Sequence, residues 1–275
     1  MQKLKVRLFC LCFFSLFLFY SPALFSQDFD ALTRVQKRVV NIEAAVSEVD
    51  IFISTYNGDT IAYKAELSAG TKLSIVEHKK KLRFTEIKPA SGKLFIYVPK
   101  DFLLESCRIL ASHSSIKVEG IKAVHFSVSG NFNRAEITGS RLKNSLIALS
   151  NGSLTFNSGI VTAADFCLNT STAKIQIAEE KADCNLFVTK QKCEKFLYDG
   201  EAYTDKILAL SPSKPKKFIS MSASFSDIDL GFSAPIKEPA EKFDKYGVSE
   251  FGPKPSPNLV NNEANFLPKT GTSLP

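Results

Sequence analysis

Five stretches in the middle of the chain repeat one pattern: a short strand, a small-polar turn and a second short strand. First strands carry Ile109, Val128, Leu149, Leu168 and Val188; second strands carry Val118, Ile137, Phe156, Ile177 and Tyr198. From Val118 onward the second-strand positions recur at a nearly even spacing. A near-constant period of about 20 residues, with alternating apolar positions, is the signature of a β-solenoid whose coils bury their inner faces on one another. An isolated coil cannot bury enough apolar surface to offset the entropy of ordering it, so the pattern demands a stack. The expected fold class is therefore all-β, a parallel single-stranded β-helix-like solenoid with coils of about 20 residues. The alternative is an antiparallel β-sandwich or meander, because Asn151-Gly152 between strands is also a hairpin signal.

Upstream, Val49 to Val98 alternates with period 2, through Ile51 and Ile53, Leu73 and Ile75, Leu82 and Phe84, and Leu94 and Ile96. Asn57-Gly58 and Ser91-Gly92 interrupt these strands, and Pro99 closes the last. Phe29 to Val40 reads as a capping helix or a first strand, with strand favoured from Val39 onward. The turns of the repeat contain Ser112-His113-Ser114, Gly130-Asn131, Asn151-Gly152-Ser153, Thr170-Ser171 and Lys190-Gln191. Alternation resumes in Phe218 to Phe232, so the solenoid is expected to end near residue 232. From Ser233 the texture changes: seven of the 12 prolines fall between Pro235 and Pro275. With five lysines, five acids and no alternation, 233–275 is expected to be largely disordered.

At the other end, Lys3, Lys5 and Arg7 precede an apolar run from Leu8 to Tyr20, and Pro22 and Ser26 follow. That is the layout of a secretory signal peptide over 1–26. The run is shorter than the ~20 residues a membrane-spanning helix needs, so no transmembrane segment is expected in the mature chain. The expected domains are thus 1–26 signal peptide, 27–232 β-solenoid and 233–275 tail, with export to the periplasm, cell envelope or cell surface.

The whole chain has formal charge +7; three of its 35 basic residues and none of its 28 acids lie in the signal, leaving +4. So mild an excess argues against a nucleic-acid partner. The basic run His78 to Lys81 with Arg83 reads as a solvated loop. Four cysteines remain after residue 26, and export makes disulfides feasible. Cys184 and Cys193 are the favoured pair among three pairings that sequence leaves open, and Cys107 and Cys167 read as inward-facing small hydrophobes.

Catalytic and metal constellations are missing from the sequence. His78, His113 and His125 have no Cys or carboxylate at ligand spacing, so neither metal nor cofactor is expected. Asp227 with Asp229, and Asp199 with Glu201, are carboxylate pairs expected to share a strand face. Glycan cleavage would need such acids to converge across a groove, and none recurs on neighbouring coils. Leu267 to Gly271 fits the LPxTG sortase pattern, but only Thr272 to Pro275 follow, so it reads as coincidence. Phe52, Phe95 and Phe187 fall between inward positions and are candidates for outward-facing aromatics.

The stretch from Val98-Pro99-Lys100 through Ile116-Lys117-Val118-Glu119-Gly120, with coils such as Ser150-Asn151-Gly152-Ser153-Leu154, resembles the bacterial putative-adhesin family, the auto-transporter adhesin head-like domains. The resemblance spans about 40–232 and departs from the pattern where Ser, Thr or Lys replaces Ser-Gly. It implies a β-solenoid at the cell envelope and supplies no catalytic residues. The expected function is a non-enzymatic adhesion or scaffold module for an unknown envelope, glycan or protein ligand. A polysaccharide-active enzyme on a β-helix fold, or a self-associating envelope structural protein, are the alternatives.

Overall fold

The computed structural model describes residues 32–35, 38–88 and 91–236. The signal-like segment, most of the stretch before Val35, and the tail beyond 236 with its LPxTG match therefore lie outside the described residues. The chain divides after Thr33, and the second unit, from Arg34 onward, holds the architecture described below.

Among the described residues the protein is all-β. Its strands are β1 (Thr33–Arg34), β2 (Asn41–Ser47), β3 (Val49–Tyr56), β4 (Ala62–Leu67), β5 (Lys72–His78), β6 (Lys81–Lys88) and β7 (Gly92–Pro99), then β8 (Leu103–Ser112), β9 (Ser115–Glu119) and β10 (Lys122–Asn131). There follow β11 (Arg134–Ser150), β12 (Ser153–Asn169), β13 (Thr172–Ile177), β14 (Cys184–Gln191) and β15 (Phe196–Tyr198), then β16 (Glu201–Ala202), β17 (Ile207–Leu210), β18 (Lys217–Ser224) and β19 (Asp227–Phe232). One 3₁₀ turn, Lys181–Asp183, interrupts them.

These strands form one curled, mixed, hydrogen-bonded sheet, which runs as two ladders. In the first, β6, β2, β8, β10, the second half of β11, the second half of β12, β18 and β14 pair in parallel. In the second, β7, β3, β9, the first halves of β11 and β12, β13, β19 and β15 do the same. In the middle, partners recur at one constant sequence step, as in Ile109, Val128, Ile147 and Phe166 on one ladder and Val118, Ile137, Phe156 and Ile175 on the other. Both columns point inward and are buried. Phe156 and Phe166 meet edge to face, with centroids 5.3 Å apart, a favourable quadrupole geometry.

This register corrects the sequence reading in two places. Leu149, Leu168 and Ile177 are inward and buried, but the rung partners of Val128 and Phe156 are Ile147 and Ile175, two positions earlier. Val188 and Tyr198 do not stack on the Phe166–Ile175 rung either. The β18–β19 rung is inserted there: Phe166 pairs Met221, which pairs Val188, and Ile175 pairs Leu230, which pairs Tyr198. The opposite end repeats the device, with β2–β3 lying between the β6–β7 rung and the β8–β9 rung.

The antiparallel alternative is realised only at the two ends. There β5 pairs β6, β4 pairs β7, β17 pairs β14 and β16 pairs β15, all antiparallel. Each terminal rung is thereby covered by a returning strand, which satisfies an edge that would otherwise offer unpaired backbone groups.

One corner between the ladders recurs in almost every rung. Glu48, His113, Phe132, Asn151, Thr170, Phe225 and Lys192 all have φ between 49° and 56°, the left-handed region. Backbone N–H groups at the corner donate from rung to rung, as His113 to Asn131 O, Phe132 to Ser150 O, Asn151 to Asn169 O, Thr170 to Ser224 O and Phe225 to Gln191 O. After His113, Phe132, Thr170 and Phe225 the next residue is a buried Ser or Asn. Asn133 donates through Nδ2 to Ala111 O at 2.7 Å and accepts from Ser114 N at 3.1 Å. Ser226 Oγ accepts from Ser171 N at 3.0 Å. Gly130 makes room for this: a Cβ there would stand 1.6 Å from Ala111 O and 2.7 Å from Asn133 Nδ2.

Candidate binding surface

Because side chains alternate across a strand, each ladder turns every second residue outward, and parallel register lines these up in columns about 4.8 Å apart per rung. On the first ladder one column runs Arg83, Glu43, Arg108, Ser127, Leu146, Asp165, Ser220 and Phe187. A second, beside the corner, runs Ser47, Ser112, Asn131, Ser150, Asn169, Ser224 and Gln191. The second column is wholly small hydroxyl and amide side chains, whereas the first mixes Arg, Glu and Asp with serines and the exposed Leu146 and Phe187.

An open groove of about 450 Å³ lies on this face, lined by Glu43, Arg108, His125, Asn144, Leu146 and Asp165 among others. Glu43 accepts from Lys81 Nζ at 2.9 Å and Arg83 Nη2 at 3.2 Å. The Lys81 hydrogen bond, with Arg83 beside it, holds its carboxyl below the usual carboxylate value. Asp165 accepts from Ser220 Oγ. Glu43 and Asp165 stand four strand spacings apart, roughly 19 Å, well outside the roughly 5–9.5 Å at which paired carboxylates cleave a glycoside.

The residues singled out from sequence are not brought together. His125 lies on the outer face of β10, whereas His113 sits at the left-handed corner, stacked on Phe132 with centroids 4.8 Å apart. Among the described residues no three His, Cys, Asp or Glu side chains cluster as metal ligands. Asp227 and Asp229 do share one face of β19, but Asp227 Oδ1 accepts from Lys195 N at 3.2 Å. At the other end of the stack Asp50 Oδ1 accepts from Ser115 N at 2.8 Å in the equivalent place, which makes both aspartates corner caps. Asp199 and Glu201 do not share a strand: a turn at Asp199-Gly200 separates them, and Tyr198 pairs Glu201. Asp199 instead bonds Lys181 Nζ at 2.6 Å, which raises the Lys181 pKa.

The favoured disulfide does not form, and both cysteines are free thiols. Cys184 opens the extended strand β14 and Cys193 lies just beyond its other end. A rise of roughly 3.3 Å per residue puts them more than about 20 Å apart, against the roughly 4.4–6.8 Å Cα separation a bridge requires. Cys107 is buried as expected, and burial pushes its thiol up to about 12. Cys167 is exposed, on the outer rather than the inner face. Phe52 and Phe95 do face outward and stack at 5.0 Å, and Phe187 is 48% exposed. Sequence reasoning passed over Phe132 and Phe225, which are more exposed still, at 55% and 54%. The signal for them was positional: each occupies the turn place that Asn151 fills in its own rung.

No family model matches the chain. An uncharacterized protein of Treponema pallidum (strain Nichols) is 26% identical over 228 residues, covering 80% of this chain and 90% of that protein. Among solved structures, a putative cell adhesion protein from Clostridium sporogenes aligns with TM-score 0.40 and 10% identity, over 74% of this chain and 98% of that one. No helix among the described residues is long and apolar enough to cross a membrane.

Proposed function

We propose that the chain is an exported β-solenoid acting as a non-enzymatic adhesion or scaffold module at the cell envelope. One observation carries this reading: parallel rungs in register, apolar inside, present an exterior column of Ser, Asn and Gln beside a mixed charged and polar column that holds an open groove. Such a surface suits repeated shallow contacts with an extended partner better than enclosure of a small substrate. The signal-like segment of 1–26 supports export, and the antiparallel strands over both terminal rungs favour a single stack over end-to-end growth. A screen of the mature chain against envelope glycans and matrix proteins, beside cell fractionation, tests it. Saturable binding in the envelope fraction is expected; a cytosolic location with no ligand would refute it.

The enzyme reading keeps one specific point of support, the two carboxylates of Asp227 and Asp229 on one face of β19. Polysaccharide cleavage lost in Asp227→Asn and Asp229→Asn variants would favour it.

A further inference from the structure

The left-handed corner contains a contradiction that stability alone does not resolve. Bulky side chains are rare at positive φ, and the backbone there costs about 1 kcal/mol against a residue such as Asn or Gly. Phe132 and Phe225 adopt it at φ 56° and 51° and leave more than half of their surface in water. Asn151 occupies the corresponding place one rung from Phe132, at φ 53°. An asparagine would therefore serve the fold better at both positions. Each ring also has a neighbour against its face: Phe132 stacks on His113 at 4.8 Å, and Lys192 lies 5.2 Å over Phe225.

The rung-to-rung hydrogen bonds put Phe132, Asn151, Thr170 and Phe225 in one file. The two rings stand three rungs apart, about 14 Å at the strand spacing, with an amide and a hydroxyl between them. The segments 131–133, 150–152, 169–171 and 224–226 contain no charged residue. Their corner N–H groups are engaged between rungs, so the strip offers no free strand edge to a peptide.

We infer that this corner strip is a binding site for an uncharged oligosaccharide whose sugar rings seat between Phe132 and Phe225, stacking on the ring faces that look toward Asn151 and Thr170. The C–H faces of hexose rings suit aromatic platforms, and their hydroxyls suit the Asn and Thr between. Charge reaches this file at its ends, with Glu48 beyond His113 and Lys192 over Phe225, so it offers no row of cations to an anionic polymer. This inference rests on the module reading above and names its ligand class.

The test uses the full mature chain with Phe132→Asn, Phe225→Asn and the double variant, titrated calorimetrically with chitohexaose and cellohexaose and, as charged controls, heparin and polygalacturonate. At least one neutral hexasaccharide should bind, each single variant weakening it by about tenfold and the double abolishing it, while Tm stays level or rises. A purely structural role for the rings would instead lower Tm. The inference is overturned if neither neutral probe binds, if the double variant binds like the parent, or if only the anionic probes bind. If the double variant keeps its ligands in the broader envelope and matrix screen, the corner site fails while the module reading survives.

Discussion

The middle of the stack and its two ends use the same inward alternation but are held by different means. From β8 to β13 the chain stacks on itself in sequence order, each rung one constant step after the last apart from a local bulge between β11 and β12 at Arg141 and Leu142. At the ends the order breaks: β2–β3 and β18–β19 are inserted, so that Ile42 pairs distant Cys107 and Ala163 pairs distant Phe218, and antiparallel strands close the edges. The closer ionic contacts lie there, Glu43 with Lys81 and Arg83 at one end and Glu179 with Lys217 at the other, while the middle has the longer pairs Lys117–Glu119 and Lys122–Asp101. Local stacking makes a uniform middle; non-local insertion and polar pairs make ends that open first.

The largest expected effect breaks the middle. Phe156→Ala empties the centre of the core at a fully buried, edge-to-face ring and should cost about 3–5 kcal/mol. Equilibrium denaturation should show a single shifted transition. The same substitution at Phe84, equally buried but in an end rung, should lower amide-exchange protection of β5–β7 before that of β10–β12. Equal loss in both places would erase the distinction.

Next come two glycines, Gly130 beside the left-handed corner and Gly120 in the β9–β10 connection. Gly130→Ala drives a methyl into Ala111 O, whereas at Gly120 the nearest atom is Thr55 Oγ1 at 3.2 Å. The first should cost about 3 kcal/mol and the second about 1 kcal/mol, read as the gap between their melting curves.

At the far end, Lys217 and Glu179 form a buried pair, and Glu179 Oε1 has no hydrogen-bond partner of its own. Lys217→Met leaves that carboxylate uncompensated and should cost about 2–3 kcal/mol, with Glu179→Gln restoring part of it. Full additivity of the two changes would show that the pair does not couple.

The thiols give a pH reading. Desolvation raises Cys107 to about 12 and Cys184 to about 11, so the folded state holds these protons longer than the unfolded chain, whose ordinary value is 9.0. Their contribution is fully present below that value and is lost as pH rises through 9.0 toward the folded values. Cys107→Ala should flatten part of the alkaline slope. Labelling of the native protein should reach exposed Cys167 well before Cys107.

The smallest effect is at Glu43, whose folded pKa is depressed by Lys81 first. Its contribution is present above about pH 4.5 and lost as pH falls below it. Glu43→Gln should remove a few tenths of a kcal/mol at neutral pH, seen as a smaller acid shift in Tm.

Strand identity and the corner turns were legible in the sequence because alternation and small-polar turns are local. The register was not fully legible. A slip by two positions leaves inward residues inward, so Leu149 fits the pattern as well as Ile147 and only the corner residues fix the step. The inserted rungs left no trace, since Met221 and Leu230 alternate like any inward pair and parallel backbone bonds carry no side-chain code. The Phe132–Phe225 file became visible only once Asn151 and Thr170 were placed between them.

The insertion is best tested by disulfide trapping in a background lacking Cys107, Cys167, Cys184 and Cys193. Lys174 pairs Asp229 across the β13–β19 contact, and Leu197 lies one strand beyond. Cysteines at 174 and 229 should bridge readily, whereas cysteines at 174 and 197, about 10 Å apart, should not. Efficient bridging of 174 to 197 with none to 229 would mean that rungs stack in simple sequence order, contrary to the architecture described.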